Sequence, residues 1–417
     1  MPGKPKEKKE LHRKMKRLYR VFAGAFSALV LGVLTSSLYF KAVLPDQLYL
    51  PEGQSLSELE QSVQQVSAAS MSVVVKDRTS SPYRAGVRMF GAVPVKEILV
   101  QVVPREYVVP GGMPFGIKMF TDGVMVVGMT DLLCEDGTVN PAREAGIQLG
   151  DVIMRIDGKK VSTNEEVAEL ISQSEGDTVK LLVRREDQEL LTISLTPEQG
   201  SDGGIYRAGM WVRDSSAGIG TLTYLDPESG IFAGLGHGVC DVDTGTLMPL
   251  YSGEAVNVAI TGVTKGESGN PGELRGTFSQ EAPIGTLVKN EATGIYGQMD
   301  GIPDILSQGG EPVAVAMRQE VHTGKAVIRT TISGDTPVEY EISIERVSLS
   351  EQNPTRNMVI RITDPRLLSA TGGIVQGMSG SPILQNGKLV GAVTHVLVND
   401  PTRGYGILIE NMLETAQ

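Results

Sequence analysis

Cysteine is nearly absent from this chain: Cys134 and Cys240 are the two in 417 residues. They fall in different predicted domains, so no disulfide framework is expected and the cores must be built by apolar burial alone. Histidine is also scarce, with His12, His237, His322 and His395 scattered along the chain. No His-Glu-x-x-His and no Cys pair at zinc spacing occurs, so no metal site is expected. No glycine loop leads into a helix bearing Lys-Ser/Thr, so no nucleotide site is expected, and no cofactor is implied. Basic residues are short as well. The net charge is −11, and nine of the 38 Lys/Arg sit in the first 20 residues, against two Glu. The other 397 residues carry 29 basic and 47 acidic side chains. Such an acidic body argues against a nucleic-acid partner, whose phosphates need Lys and Arg.

What the chain does have is glycine, 49 residues of it, with aromatics at 5%. That balance favours short strands and turns over long helices. The length predicts two or three domains. Val21–Phe40 contains no charged residue and follows Arg13, Lys14, Lys16, Arg17 and Arg20. As a helix of about 1.5 Å rise per residue it spans roughly 30 Å, one hydrocarbon core. The positive-inside rule keeps residues 1–20 as a cytoplasmic tail and places residues 41–417 outside the cytoplasm, behind a 21–40 transmembrane anchor. A cleaved signal peptide fits less well, because Thr35-Ser36-Ser37 is a poor small-x-small site and the apolar stretch is long.

Residues 41–103 read as a stalk and a small β region. Leu56–Ser67 suits a short helix capped by Ser55 with Glu58 three residues on. Within the stalk, Ser67–Ser81 is small and polar and is expected to be exposed and protease-sensitive, and 84–103 is expected to form a strand pair turning near Gly91 and Pro94.

Residues 104–198 combine a glycine loop (Pro110–Ile117), strands at Ile117–Met119 and Val124–Met129, a short helix Ala142–Leu149, an amphipathic helix Asn164–Ser172 and a closing hairpin. The run Ala145-Gly146-Ile147-Gln148-Leu149-Gly150-Asp151-Val152-Ile153, followed by Ile156-Asp157-Gly158, resembles the PDZ domains of bacterial exported proteases. The resemblance implies an α+β domain with a peptide groove between a strand and the Asn164–Ser172 helix. A peptide end there would meet Gly112, Phe115, Gly116 and Ile117 on one side and Val167 and Leu170 on the other.

Residues 199–417 carry many short β-type runs, among them Ile219–Tyr224, Ala255–Ile260, Lys325–Ile332, Glu339–Val347, Met358–Ile362 and Leu389–Val398. An all-β barrel or double barrel is the expected class. Within it Gly377-Met378-Ser379-Gly380-Ser381-Pro382 frames a serine between glycines. Such a bend exposes Ser379 Oγ and turns the Gly377 and Ser379 amides toward one point, where an oxyanion needs donors. A nucleophilic serine needs a base. His237, in Gly236-His237-Gly238, is the candidate. The acid that fixes its tautomer is expected to be Asp364, in Thr363-Asp364-Pro365; Asp241 and Asp243 compete, and Asp300, Asp304 and Asp335 stay open.

The order His, Asp, Ser and the serine frame resemble the chymotrypsin-like serine peptidases, with Met378 and Ser381 departing from the Gly-Asp-Ser-Gly-Gly-Pro pattern. That likeness implies that Thr394 and His395 lie near a substrate pocket. Along nearly its whole length the chain also resembles the stage IV sporulation protein B family, through the anchor, the PDZ-type run and the three motifs around His237, Asp364 and Ser379. That resemblance implies a signalling serine endopeptidase in the space between the two forespore membranes. It would trim itself within residues 41–80 and cleave the ectodomain of a membrane complex that restrains an intramembrane protease, releasing a late sigma factor, sigma K. The alternative is a non-catalytic PDZ adaptor with a degenerate protease region.

Overall fold

The computed structural model describes residues 5–52, 71–75, 82–134, 137–185, 189–201, 203–299, 310–349 and 353–416. The chain divides into two compact units.

The first unit holds the N-terminal helix and a small sheet. The helix runs Pro5–Val43, through the basic residues as well as the apolar stretch. It is the one helix among the described residues long and apolar enough to cross a membrane. Beyond it the structure departs from a plain stalk. Gln47–Pro51 pairs in parallel with Leu99–Val103, and Met71–Val75 pairs with Ala85–Met89. Leu48, Leu50 and Met71 are buried with Ile98 and Val100 in the core of that sheet. Alternate apolar residues in these two segments give each a face that must be covered, which an exposed stalk cannot do. The predicted Leu56–Ser67 helix lies outside the described residues. The expected strand pair at 84–103 is present as Tyr83–Met89 and Val93–Val103.

The second unit contains everything that carries the chemistry. Six strands, Gly324–Thr330, Val338–Val347, Met358–Ile362, Asp400–Leu408, Lys388–Leu397 and Pro382–Gln385, form a closed barrel. A second ring closes as well. Pro114–Met129 pairs with Leu250–Thr264, and the order continues through Gly285–Glu291, Gly294–Met299 and Ile231–Gly234 to Met210–Leu225, which pairs back onto Pro114–Met129. The expected all-β double barrel is therefore present. Its first barrel recruits a strand from well before residue 199, and Phe115, Ile117 and Met119 fill its core with Phe232, Leu287 and Ile295.

The PDZ domain grows out of that barrel. Pro114–Met129 bends at Thr121–Gly123, and Val124–Met125 pairs with Val152–Ile153 in the PDZ sheet. Thr121 Oγ1 donates to Gly123 O at 2.5 Å within the bend, and Gly123 takes φ +92° there, a left-handed conformation that suits glycine. The Asn164–Ser172 helix begins with a complete capping box, Thr163 with Glu166. Its Val167 and Ile171 are buried against Ile153, Ile156, Leu181 and Val183.

Candidate active site

Strand ends of the two barrels supply the two halves of the site. Ile231–Gly234 of the first barrel delivers His237. Leu235 and Gly236 both take φ +68°, and this double left-handed bend turns the chain out of the strand. Two residues past the histidine the chain is pinned again. Buried Asn290 accepts from Val239 N at 2.8 Å and donates to Val239 O and Met248 O. The 374–381 loop precedes Pro382–Gln385 of the second barrel and delivers Ser379. Ser381 closes the turn, its Oγ donating to Met378 O at 2.6 Å.

This serine loop rests on Met210–Leu225. Thr221 and Thr223 lie two apart, on one face of that strand. Thr221 Oγ1 donates to Gly377 O and Thr223 Oγ1 to Gly380 O, both at 2.8 Å, and Thr221 N donates to Ser379 O at 3.0 Å. All three groups sit under the residues that bracket Ser379. Gly380 takes φ +93°, and a Cβ there would overlap Thr221 O and the Leu235 backbone. The serine loop and the histidine loop thus touch at a position that admits no side chain.

Ser379 and His237 line one cleft of about 530 Å³, together with Leu235, Cys240, Thr394 and His395. Among the described residues no hydrogen bond joins Ser379 Oγ to the imidazole, and neither the Gly377 nor the Ser379 amide has a protein acceptor. The amides around them are spent: Gln376 N donates to Gly272 O, Met378 N to Val375 O and Gly380 N to Val393 O. His237 Nδ1 lies 2.9 Å from Gly238 O. A carbonyl only accepts, so this contact requires Nδ1–H and, in the neutral ring, leaves Nε2 with its lone pair. Burial pushes the His237 imidazole below its ordinary value, the Gly238 carbonyl partly opposing. The ring of His395 lies 4.8 Å away, centroid to centroid. Burial, then the neighbouring His237 and Arg356, push His395 down to about 4, and its buried Nδ1 has no hydrogen-bond partner. Thr394 also lines the cleft, but its hydroxyl is committed to Thr355 O.

The structure does not bring Asp364 to His237. Its carboxylate caps the helix Pro365–Thr371, accepting from Arg366 N at 2.9 Å, and takes the Arg366 guanidinium at 2.8 Å and Glu341 N at 3.3 Å. Arg366 holds this carboxyl down at about 2. The competing acids are committed elsewhere. Asp241 and Asp243 share Arg213, and Asp241 further accepts from the Thr244 amide and hydroxyl. Asp335 is exposed, and Asp300 and Asp304 lie outside the described residues. Cys240, a free thiol, is exposed in the cleft, and Cys134 is also free.

The glycine-loop residues expected to meet a peptide end are elsewhere too. Gly111 N and Gly112 N donate to Thr223 O and Leu222 O, so these amides are spent inside the first barrel. Phe115 packs edge-on against Phe232 with ring centroids 6.0 Å apart. Gly116 fits against Val256 and Phe278, and Ile117 lines the cleft of Ser379. Val167 does face the PDZ groove, and Leu170 packs at the edge of the PDZ core.

Comparison with known proteins agrees with this architecture. A family model described as SpoIVB peptidase S55 matches residues 204–413, and a PDZ-domain model matches 140–185. Serine protease HTRA1 of Xenopus tropicalis is 41% identical over 59 residues, 14% of this chain and 12% of that protein. A periplasmic serine endoprotease DegP-like protein of Bartonella henselae is 27% identical over 175 residues, 36% of this chain and 35% of that protein. The chain therefore spans about a third or less of these relatives. Among solved structures, the PDZ domain of an SdrC-like protein from Listeria monocytogenes is similar at 24% identity, over 22% of this chain and 87% of that one, with a TM-score of 0.18. The peptidase model spans half of the sequence and includes both His237 and Ser379, and the chain belongs to the SpoIVB peptidase S55 family, a serine peptidase family, with a PDZ domain ahead of its catalytic-type barrels.

Proposed function

We propose that this protein is a membrane-anchored, extracytoplasmic serine endopeptidase with Ser379 as nucleophile and His237 as general base. The observation that carries the reading is the shared cleft: a serine and a neutral imidazole line it, and the Gly377 and Ser379 amides beside them lack acceptors. In the reaction, Ser379 Oγ attacks the scissile carbonyl while His237 Nε2 takes its proton. The two amides receive the developing oxyanion. The same Nε2 then returns the proton to the leaving amine, and water releases the acyl group by the reverse route. The Gly238 carbonyl holds the imidazole in the required tautomer, a role that Asp364 does not reach in this conformation.

The substrates that fit this reading are the chain itself and the ectodomain of a membrane complex controlling an intramembrane protease, which makes the protein a trigger of a sporulation cascade ending in sigma factor K. The N-terminal helix would hold the body at the outer face of the membrane until self-cleavage releases part of it. The decisive experiment compares Ser379→Ala and His237→Ala with the unaltered protein for labelling by a serine-directed fluorophosphonate, for self-cleavage and for cleavage of the partner ectodomain. Loss of cleavage in both is expected, with new N-termini inside residues 41–80. Retained cleavage in either variant rejects the assignment, and an unaltered protein that neither labels nor cleaves points to the adaptor.

A further inference from the structure

The small sheet of the first unit packs on the helix at membrane depth. Within residues 31–40, Val33, Ser36, Ser37 and Phe40 recur at helical spacing and are partly covered, whereas Leu31, Leu34, Leu38 and Tyr39 are exposed. Val33 and Phe40 pack against the core that holds Met89 and Val95, and Ser37 Oγ lies 3.4 Å from Pro94 O. Counted back from Phe40 at about 1.5 Å per residue, Ser37 lies roughly 5 Å and Val33 roughly 10 Å inside the uncharged stretch. That stretch is about one hydrocarbon core long. Lifting the helix until Val33 cleared the bilayer would draw Arg20, Arg17 and Lys16 into hydrocarbon, which strongly disfavours them.

The hairpin beside these residues meets no such penalty. Residues 89–95 read Met-Phe-Gly-Ala-Val-Pro-Val and carry no charged side chain. Their backbone polar groups are largely accounted for as well, as an apolar medium demands. Ala92 N donates to Met89 O at 3.2 Å, Met89 pairs with Val93, and Pro94 has no N–H to leave unpaired. The tip itself is unusual for water. Phe90 and Gly91 take φ +53° and +72°, the pattern of a type I′ turn, whose first position favours Asn or Gly. An aromatic residue is strained there, and its side chain is left open, with Phe90 65% exposed. In water this position gains nothing from a phenyl ring; in a membrane interface the ring is buried. Arg88 beside the turn and Lys41 just past the apolar stretch are exposed cations that suit anionic headgroups.

We infer that the Phe90–Gly91 hairpin tip is a second membrane contact, seated among the headgroups and upper acyl chains of the leaflet away from the cytoplasm. The partner is the lipid surface itself. The helix and the tip together fix the small sheet against the bilayer. The inference rests on the reading of residues 21–40 as an anchor, and it is independent of the reading of Ser379.

The test uses the full chain carrying Ser379→Ala, so that self-cleavage plays no part, with Cys134→Ser and Cys240→Ser so that one added thiol takes the probe. An environment-sensitive fluorophore is placed in turn at Val30→Cys, Ala92→Cys and Glu52→Cys. The protein is reconstituted in phosphatidylethanolamine–phosphatidylglycerol vesicles with a nitroxide lipid, labelled near the headgroup or near the chain end. The deep nitroxide is expected to quench Val30, the shallow one to quench Ala92, and neither to quench Glu52. Phe90→Asp, which puts a charge at the tip, is expected to remove roughly half or more of the shallow quenching at Ala92. A quenched Val30 with an unquenched Ala92 overturns the inference and leaves the anchor standing. Equal quenching at Ala92 with and without Phe90→Asp overturns it too, and an unquenched Val30 removes the anchor and the inference with it.

Discussion

Thr221 and Thr223 offer the sharpest test of how the serine loop is held. Each hydroxyl is buried and donates at 2.8 Å to a carbonyl, of Gly377 and of Gly380, that has no other hydrogen-bond donor among the described residues. Thr→Val keeps the outline of the side chain and removes the donor. The orphaned carbonyl then costs about 1–3 kcal/mol. If the fold absorbs that cost, the melting temperature falls by roughly 2–12 °C for each substitution, at about 2–4 °C per kcal/mol in a domain of this size. If the loop shifts instead to find water, the cost appears at Ser379. The same 1–3 kcal/mol is then about a 5- to 150-fold loss in the rate of fluorophosphonate labelling. Thermal unfolding and labelling kinetics, measured on one preparation, capture both routes. Thr286→Val, at an exposed threonine of the same barrel, is the control and should change neither. If Thr221→Val and Thr223→Val leave both readouts at the control level, the strand is not the support of the loop and the argument fails.

Four further outcomes follow from the structure. Gly380→Ala should abolish Ser379 labelling, since a methyl at φ +93° meets the Thr221 carbonyl and the Leu235 backbone; labelling above one hundredth of the parental rate contradicts the close approach of the two loops. Because burial lowers His237, the acid limb of the pH–rate profile of kcat/KM should fall below the ordinary histidine value of about 6.5. A limb above 6.5 would mean that a carboxylate faces the ring in the active form. His395 is depressed to about 4, so stability is fully present above about 6.5 and is lost as pH falls toward 4; in His395→Gln that part of the pH dependence of the melting temperature should disappear. Asp364, held at about 2 by Arg366, contributes stability that is present above about 4 and lost as pH falls through 2. The melting temperature of Asp364→Asn should therefore lie below that of the parent at pH 7, the gap closing as the pH falls toward 2.

Much of this was legible because local chemistry dictates it. A serine between Gly377 and Gly380, and a histidine after a Leu235-Gly236 bend, are local backbone problems that glycine solves, and sequence displays them directly. The PDZ core was legible for the same reason, since Ala145–Ile153 forms a turn and strand by itself. What could not be read were partners chosen over long separations. Pro114–Met129 is a single strand serving two bodies, yet Gly116, Gly123 and Gly128 interrupt its pattern, and nothing local says that its first half belongs beside residues 215–221. Gln47–Pro51 finds its parallel partner some fifty residues later. The order His, Asp, Ser names Asp364 but is silent about where its carboxylate points. Arg366, two residues on, is nearer than any histidine, and the helix start takes one oxygen. The threonine pair is a readable signal: Thr221 and Thr223, at period two in the otherwise apolar run Ile219–Tyr224, mark a polar face that needs acceptors.

The substitution of a carbonyl for a carboxylate beside His237 has a definite energetic meaning. A serine peptidase base needs the correct tautomer first and stabilisation of the imidazolium second. Replacing the triad acid with an amide costs about 10⁴ in kcat, largely because the wrong nitrogen is then protonated. Gly238 O avoids that loss, since it accepts from Nδ1 and has no hydrogen to donate. It supplies less of the second requirement, because a neutral dipole stabilises a neighbouring cation less than a full negative charge does. Burial works in the same direction by disfavouring the charged ring. On the mechanism proposed above, an imidazole in this tautomer would take the proton from Ser379 but be poorly supported while holding it, and the barrier would rest more heavily on the two amides at Gly377 and Ser379. A site so divided should lose more from a disturbed oxyanion pocket than from any change at Asp364, which is why the threonine clamp beneath the serine loop, and not the acid, is the place to test it.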